Sequence, residues 1–123
     1  HLINELLTIL AKSNADFTNF FSSITNETTR YDFMNKKPYL TWEKKWHNRI
    51  QNIPRAKETM RQANPSIIPR NHNIEKAIQS ALSDNFDPFY TLNEALKNPY
   101  NYNEKSALRK APGKDEKVTA TFC

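Results

Sequence analysis

A single glycine, Gly113, serves all 123 residues. Phosphate-cradling loops need several glycines, because the backbone must approach the ligand closely with positive φ. A P-loop, a Rossmann fingerprint and a kinase glycine-rich loop are therefore excluded from this stretch. The same scarcity argues against an all-β chain, whose hairpins draw on Asn-Gly and Asp-Gly turns. Cysteine is as rare: Cys123, the last residue, stands alone, so no internal disulfide framework is available. No apolar run approaches the roughly 18 residues needed to cross a bilayer, and no membrane partner is expected. The three histidines, His1, His47 and His72, pair with neither each other nor the cysteine at zinc-site spacing. Carboxylates are scattered singly and no Ser/His/Asp or Cys/His relay follows from spacing. No catalytic, cofactor-binding or metal-ligating residue is assigned. Asn26-Glu27-Thr28 matches a glycosylation sequon, but nothing else points to secretion. A reducing, soluble compartment is expected.

What remains is helical. Hydrophobic residues make up 37% and charged residues 25%, a balance that suits a folded domain, and the length suits one domain over residues 1–123. The fold class expected is all-α, about six short helices with an extended proline-rich connector and an irregular tail. Leu2, Ile3, Leu6, Leu7 and Leu10 form a helical stripe. Asp16 is placed to cap a second helix carrying Phe17, Phe20, Phe21 and Ile24. Residues 25–39 read as a connecting loop that can hold local order. Thr41 can cap a third helix with Trp42, Trp46, Ile50 and Ile53 inward, and Pro54 suits the first turn of a fourth that ends at Ala63, with Ala56, Met60 and Ala63 inward. Residues 1–63 thus form a first helical group and 64–73 a connector. A helical hairpin follows over 74–98: Asn73 caps Ile74, Ala77, Ile78, Ala81 and Leu82, and Asp87-Pro88 opens Phe89, Leu92, Ala95 and Leu96. Residues 99–123 lose periodicity and read as a tail. The apolar stripes of the first three helices exceed what a chain this short can hide, so an exposed patch or a homodimer is expected of it in isolation.

The charge is +5 overall and uneven. Ten Lys or Arg against three Asp or Glu give residues 30–70 a net +7, while the rest of the chain is −2. With Tyr39, Trp42 and Trp46 interleaved, this segment could attract phosphates and stack on bases, or meet an acidic protein. Tryptophans four apart on one helical stripe are more often core. The commoner reading is therefore a solvated face or a docking face for another domain, with a free-standing module that binds nucleic acid or an acidic protein as the rival.

The connector carries a more specific signal. Met60-Arg61-Gln62-Ala63-Asn64-Pro65-Ser66-Ile67-Ile68-Pro69-Arg70-Asn71-His72 resembles the C-terminal region of the selenoprotein O family, in which a Met and an Asn-Pro precede an apolar pair and then Arg-Asn. Asn64, Pro65, Ile68, Arg70 and Asn71 are its signature residues here. Ile74-Glu75-Lys76-Ala77-Ile78, Asp87-Pro88-Phe89, Leu96 and Asn98-Pro99-Tyr100 follow in the family's order. Upstream, Ala15-Asp16-Phe17-Thr18-Asn19-Phe20-Phe21 resembles its Asp-aromatic-Thr-x-Phe-Phe segment, and Thr121-Phe122-Cys123 its terminal Thr-Phe-Cys. The resemblance implies a kinase-like pseudokinase that binds ATP with Mg2+ and transfers AMP to Ser, Thr or Tyr of protein substrates. The catalytic and nucleotide-binding residues would belong to a preceding lobe, so no cofactor is expected in this segment. Its role would be to pack on that lobe. It also implies that Cys123 can form a reversible disulfide with a cysteine of the activation segment, a redox link between tail and catalytic lobe. The chain departs from the pattern in ending at the cysteine, where the family usually continues by a few small residues.

Overall fold

A computed structural model describes residues 1–103 and 106–117. The architecture is all-α, with six α-helices, short 3₁₀ turns and no strand among the described residues. The chain divides into two compact units, one ending at Asn64 and the other beginning at Pro65.

In the first unit, α1 (Leu2–Lys12), α2 (Phe17–Asn26), α3 (Lys37–Ile50) and α4 (Ala56–Ala63) build on one aromatic-rich core. Leu6, Leu10, Phe20, Met34, Tyr39 and Trp42 are buried there. Phe20 and Phe33 each meet Tyr39 edge-on, with centroids 6.1 and 5.6 Å away, the arrangement that places a positive ring edge on a negative face. The indole N–H of Trp42 donates to the Leu2 carbonyl at 2.9 Å, so α3 is pinned to the start of α1. The stripe expected on α1 is wider than its neighbours cover: Ile3 is 73% exposed and Leu7 44%. Asp16 caps α2 as expected, its carboxylate accepting from the Asn19 amide at 2.9 Å.

Three boundaries in this unit differ from the sequence reading. The segment 25–39 is largely structured: α2 runs on to Asn26, Glu27 closes it at φ 53°, and a 3₁₀ turn at Asp32–Asn35 buries Met34. Helix α3 then opens at Lys37, four residues ahead of Thr41, with Pro38 in its first turn. A proline there lacks only an N–H that would have no intrahelical acceptor, so it starts the helix and does not break one. Pro54 in turn precedes α4, because Arg55 takes a left-handed conformation (φ 57°) between them; Ile53 and Ala63 are exposed, not inward. Helix α4 packs on α2, and the small hydroxyl residues on α2 make that approach possible. Ser23 Oγ and Thr25 Oγ1 donate to carbonyls of their own helix at 2.7 Å, so burying them leaves no hydroxyl proton unpaired.

The second unit is a helical hairpin with its flanking chain. Residues 65–70 run extended, and the amides of Ser66 and Ile67 both donate to the Pro99 carbonyl, at 2.8 and 3.2 Å. Helix α5 (Asn71–Leu82) opens two residues ahead of the expected Asn73 cap, with the Arg70 carbonyl accepting from the amides of Asn73 and Ile74. Asp84, at φ 61°, turns the chain into α6 (Asp87–Leu96), whose cap position is Phe86 and whose first turn holds Pro88. The described part of the tail forms 3₁₀ turns at Ala107–Arg109 and Lys114–Glu116. These lie against α5 through Asn73 Nδ2 donating to the Leu108 carbonyl and a Lys76–Glu116 ion pair.

Candidate functional site

The signature residues lie along one stretch that crosses the unit boundary. Asn64 donates through Nδ2 to Thr25 Oγ1 at 2.9 Å, tying the end of α4 to α2. Pro65 and Ile68 are half-buried, Arg70 is buried, and Asn71 is exposed at the start of α5. Ile68, Arg70 and Asn71 border a cleft of about 460 Å³, closed by His72, Pro112, Glu116 and Lys117. The Glu116 carboxyl sits below its ordinary value of 4.5, chiefly because Lys76 donates to it and then because the Gly113 amide does. Of the signature residues, Arg70 stands at the turn into α5, its carbonyl accepting from the amides of Asn73 and Ile74. Cys123 lies outside the described residues.

The histidines stay apart. His47 is exposed with Nδ1 3.0 Å from the Glu43 carbonyl, and His72 is buried at the start of α5. Among the described residues no group of three His, Cys, Asp or Glu could hold a metal ion. Gly113 has φ −68° and leads into a 3₁₀ turn, so it forms no phosphate cradle.

The basic segment is partly spent on structure. Arg30 binds Glu43 through both carboxylate oxygens at 3.1 and 3.2 Å, Met34 carbonyl at 2.8 Å and Asn35 Oδ1 at 3.0 Å, and lies 5.7 Å from the Tyr39 ring centre. Burial raises the Tyr39 phenol above its ordinary value of 10, and the Glu43 carboxylate beside it adds to the shift. Lys45 pairs with Glu5 at 2.9 Å and Lys57 with Glu27 at 2.6 Å. Lys36, Lys37, Lys44, Arg49 and Arg55 are exposed and carry no ion pair among the described residues. Trp42 is buried and Trp46 is stacked on it with centroids 5.6 Å apart, so the tryptophans face the core.

Sequence reasoning missed two clusters. Arg30 and Glu43 are 13 positions apart, a separation with no periodic signature. Arg109, buried over the Tyr102 ring at 4.6 Å, sits in a stretch whose polar composition hides it.

A family model described as "Protein adenylyltransferase SelO" matches residues 1–97. The chain belongs to that family. Its relatives include proteins named "Protein nucleotidyltransferase YdiU". The one from Ruegeria sp. (strain TM1040) is 38% identical over 123 residues, covering 99% of this chain and 26% of the relative. That from Roseobacter denitrificans is 34% identical over 122 residues, with the same coverage of each. That from Clostridium perfringens (strain ATCC 13124) is 38% identical over 128 residues, covering 99% and 26%. The chain thus spans about a quarter of the length of the curated relatives it matches. No solved structure matches it. These relatives are bacterial, and among the described residues no helix is long and apolar enough to cross a membrane.

Proposed function

We propose that this chain is the C-terminal helical region of a bacterial, cytoplasmic pseudokinase that transfers AMP from ATP to Ser, Thr or Tyr of protein substrates. In that protein it serves as a structural and regulatory part: it packs on the kinase-like lobe that holds ATP and Mg2+, and it contributes no catalytic residue of its own. The observation that carries this reading is the family match over residues 1–97 in a chain aligned to a quarter of proteins named nucleotidyltransferases. The experiment begins with the native size of the gene product in its source cells, by blotting. A band near four times the mass of this chain is expected, and the purified product is then given ATP labelled at the α-phosphate. Label transferred to protein hydroxyls supports the reading. A product of this chain's size, or a full product that transfers no label, overturns it.

The regulatory part of the proposal rests on Cys123. Its thiol and a cysteine of the catalytic lobe would each lose a proton and an electron to a peroxide or a disulfide oxidant, forming one S–S bond that a dithiol reverses. In non-reducing electrophoresis the oxidised full product should migrate faster than the reduced one, and a Cys123→Ser variant should not shift.

The rival nucleic-acid reading has one observation in its favour, the exposed and unpaired Lys36, Lys37, Lys44, Arg49 and Arg55. Filter binding across salt concentrations separates the two, since phosphate contacts weaken steeply as salt rises. A weak and flat response removes the rival.

A further inference from the structure

The hairpin of α5 and α6 buries only part of its apolar surface. Between the helices runs a groove of about 330 Å³, lined by Ile74, Ile78 and Ala81 from α5 and by Phe86, Phe89 and Leu92 from α6. Much of this apolar surface is open to solvent: Phe89 in the lining is 49% exposed, and Leu82, next to Ala81, is 76% exposed. A surface of this kind is costly in water unless something covers it.

The charges around the groove indicate what kind of partner would cover it. Both lysines of the hairpin are occupied, Lys76 with Glu116 and Lys97 with Glu94. Asp84 and Asp87, at the connection between the two helices, are exposed and carry no ion pair among the described residues; Glu75 accepts from Gln79. The hairpin therefore presents unpaired carboxylates and no unpaired lysine or arginine, beside an apolar floor whose residues recur at helical spacing on α5. Its complement is an amphipathic helix with an apolar stripe and Lys or Arg on its flanks.

We infer that the groove is the seat of such a helix, supplied by the part of the family protein that this chain does not span. This rests on the proposed reading of the chain as one region of a longer enzyme. The relatives, of which this chain covers 26%, have ample length for the element. Apolar burial in the groove supplies the binding energy, while Asp84 and Asp87 set the direction in which the helix lies.

The test compares hydrogen exchange at the amides of α5 and α6 in the full gene product and in the 123-residue chain at low concentration. Exchange over residues 78–92 is expected to be about tenfold slower or more in the full product. Leu82→Glu in the full product should bring it back toward the rate of the 123-residue chain, as should Phe89→Glu. Leu82 is too exposed for its replacement to disturb the hairpin. Asp84→Asn with Asp87→Asn should give a partial loss of protection, and added salt should mimic it in the parent but not in the variant. Equal exchange in the two proteins overturns the inference. So does protection of the 123-residue chain that rises with concentration, which would make a second copy the occupant. A full product that transfers AMP but leaves the groove unprotected overturns the groove alone, and one that protects it but transfers no AMP overturns the activity alone.

Discussion

At the scale of single residues, burial and pairing decide what each side chain can do. Ser66 is 2% exposed, and its hydroxyl has no hydrogen-bond partner among the described residues, while its amide is held by Pro99. Dehydrating an unpaired hydroxyl costs free energy that a methyl group does not. Ser66→Ala is therefore expected to leave the second unit as stable or raise its stability by about 1 kcal/mol, read by urea denaturation. A large destabilisation would show that the hydroxyl is paired. Two paired glutamates, Glu27 exposed and Glu116 half-buried, give the fold a defined acid response. Glu27 is lowered below 4.5 chiefly by the hydrogen bond from Lys57, and Glu116 by that from Lys76. A carboxyl depressed in the folded state adds stability that is fully present above its unfolded value and lost as pH falls through the folded one. The melting temperature should thus decline as pH drops below about 4.5, with a shallower decline in a Lys57→Met, Lys76→Met double variant. Parallel acid profiles for the two proteins would count against these pairs.

At the scale of elements, the start of α3 separates the structure from the sequence reading most sharply. In a helix beginning at Lys37, position 41 is interior, and proline there removes a hydrogen bond and clashes with the Lys37 carbonyl. Thr41→Pro should cost about 3 kcal/mol and visible helicity by circular dichroism, whereas Pro38→Ala should cost less than about 0.5 kcal/mol. If the helix began at Thr41 instead, Thr41→Pro would be tolerated. The break before α4 has its own physics. Arg55 holds φ 57° without a glycine's freedom, which costs an L-residue roughly 1 kcal/mol. Arg55→Gly is accordingly expected to be neutral or mildly stabilising despite the greater entropy of the unfolded chain, a sign opposite to that of glycine placed inside a helix. These boundaries were hidden in the sequence because Pro38 carries the same letter whether it ends one element or begins the next. What decides is whether Tyr39 and Trp42 can reach the same core, and that is settled only when α1 and α2 supply its other walls.

At the scale of the whole molecule, the exposed apolar residues matter most. Ile3 and Leu7 on α1, and Ile78, Leu82 and Phe89 on the hairpin, lie on faces that the described residues leave uncovered. The isolated chain should bind an apolar dye such as anilinonaphthalene sulfonate while keeping the near-ultraviolet dichroism of a packed Trp42–Trp46 pair. Leu82→Glu with Phe89→Glu should lower the dye signal and leave that dichroism unchanged; loss of both together would mean that the packing itself had failed.

The sequence by itself determined the helical class, the hairpin and the core identities of Leu6, Leu10, Phe20, Trp42, Ala77 and Leu92, because each is a local pattern of apolar residues at helical spacing, which any helix must bury on one side. The connector motif also reads directly, since its prolines and adjacent β-branched residues restrict the backbone before any packing occurs. Only the tertiary structure decided which part of each stripe is covered. Leu6 is buried and Leu7, one residue on, is not, because α2 and α3 present a core of finite width. It also decided which cations are consumed: Arg30 meets Glu43, 13 positions on, and the Arg109 guanidinium lies over the Tyr102 ring. Spacing along a chain encodes the face of a helix. Which neighbour that face meets is fixed by how the helices pack, and no local pattern of residues specifies that.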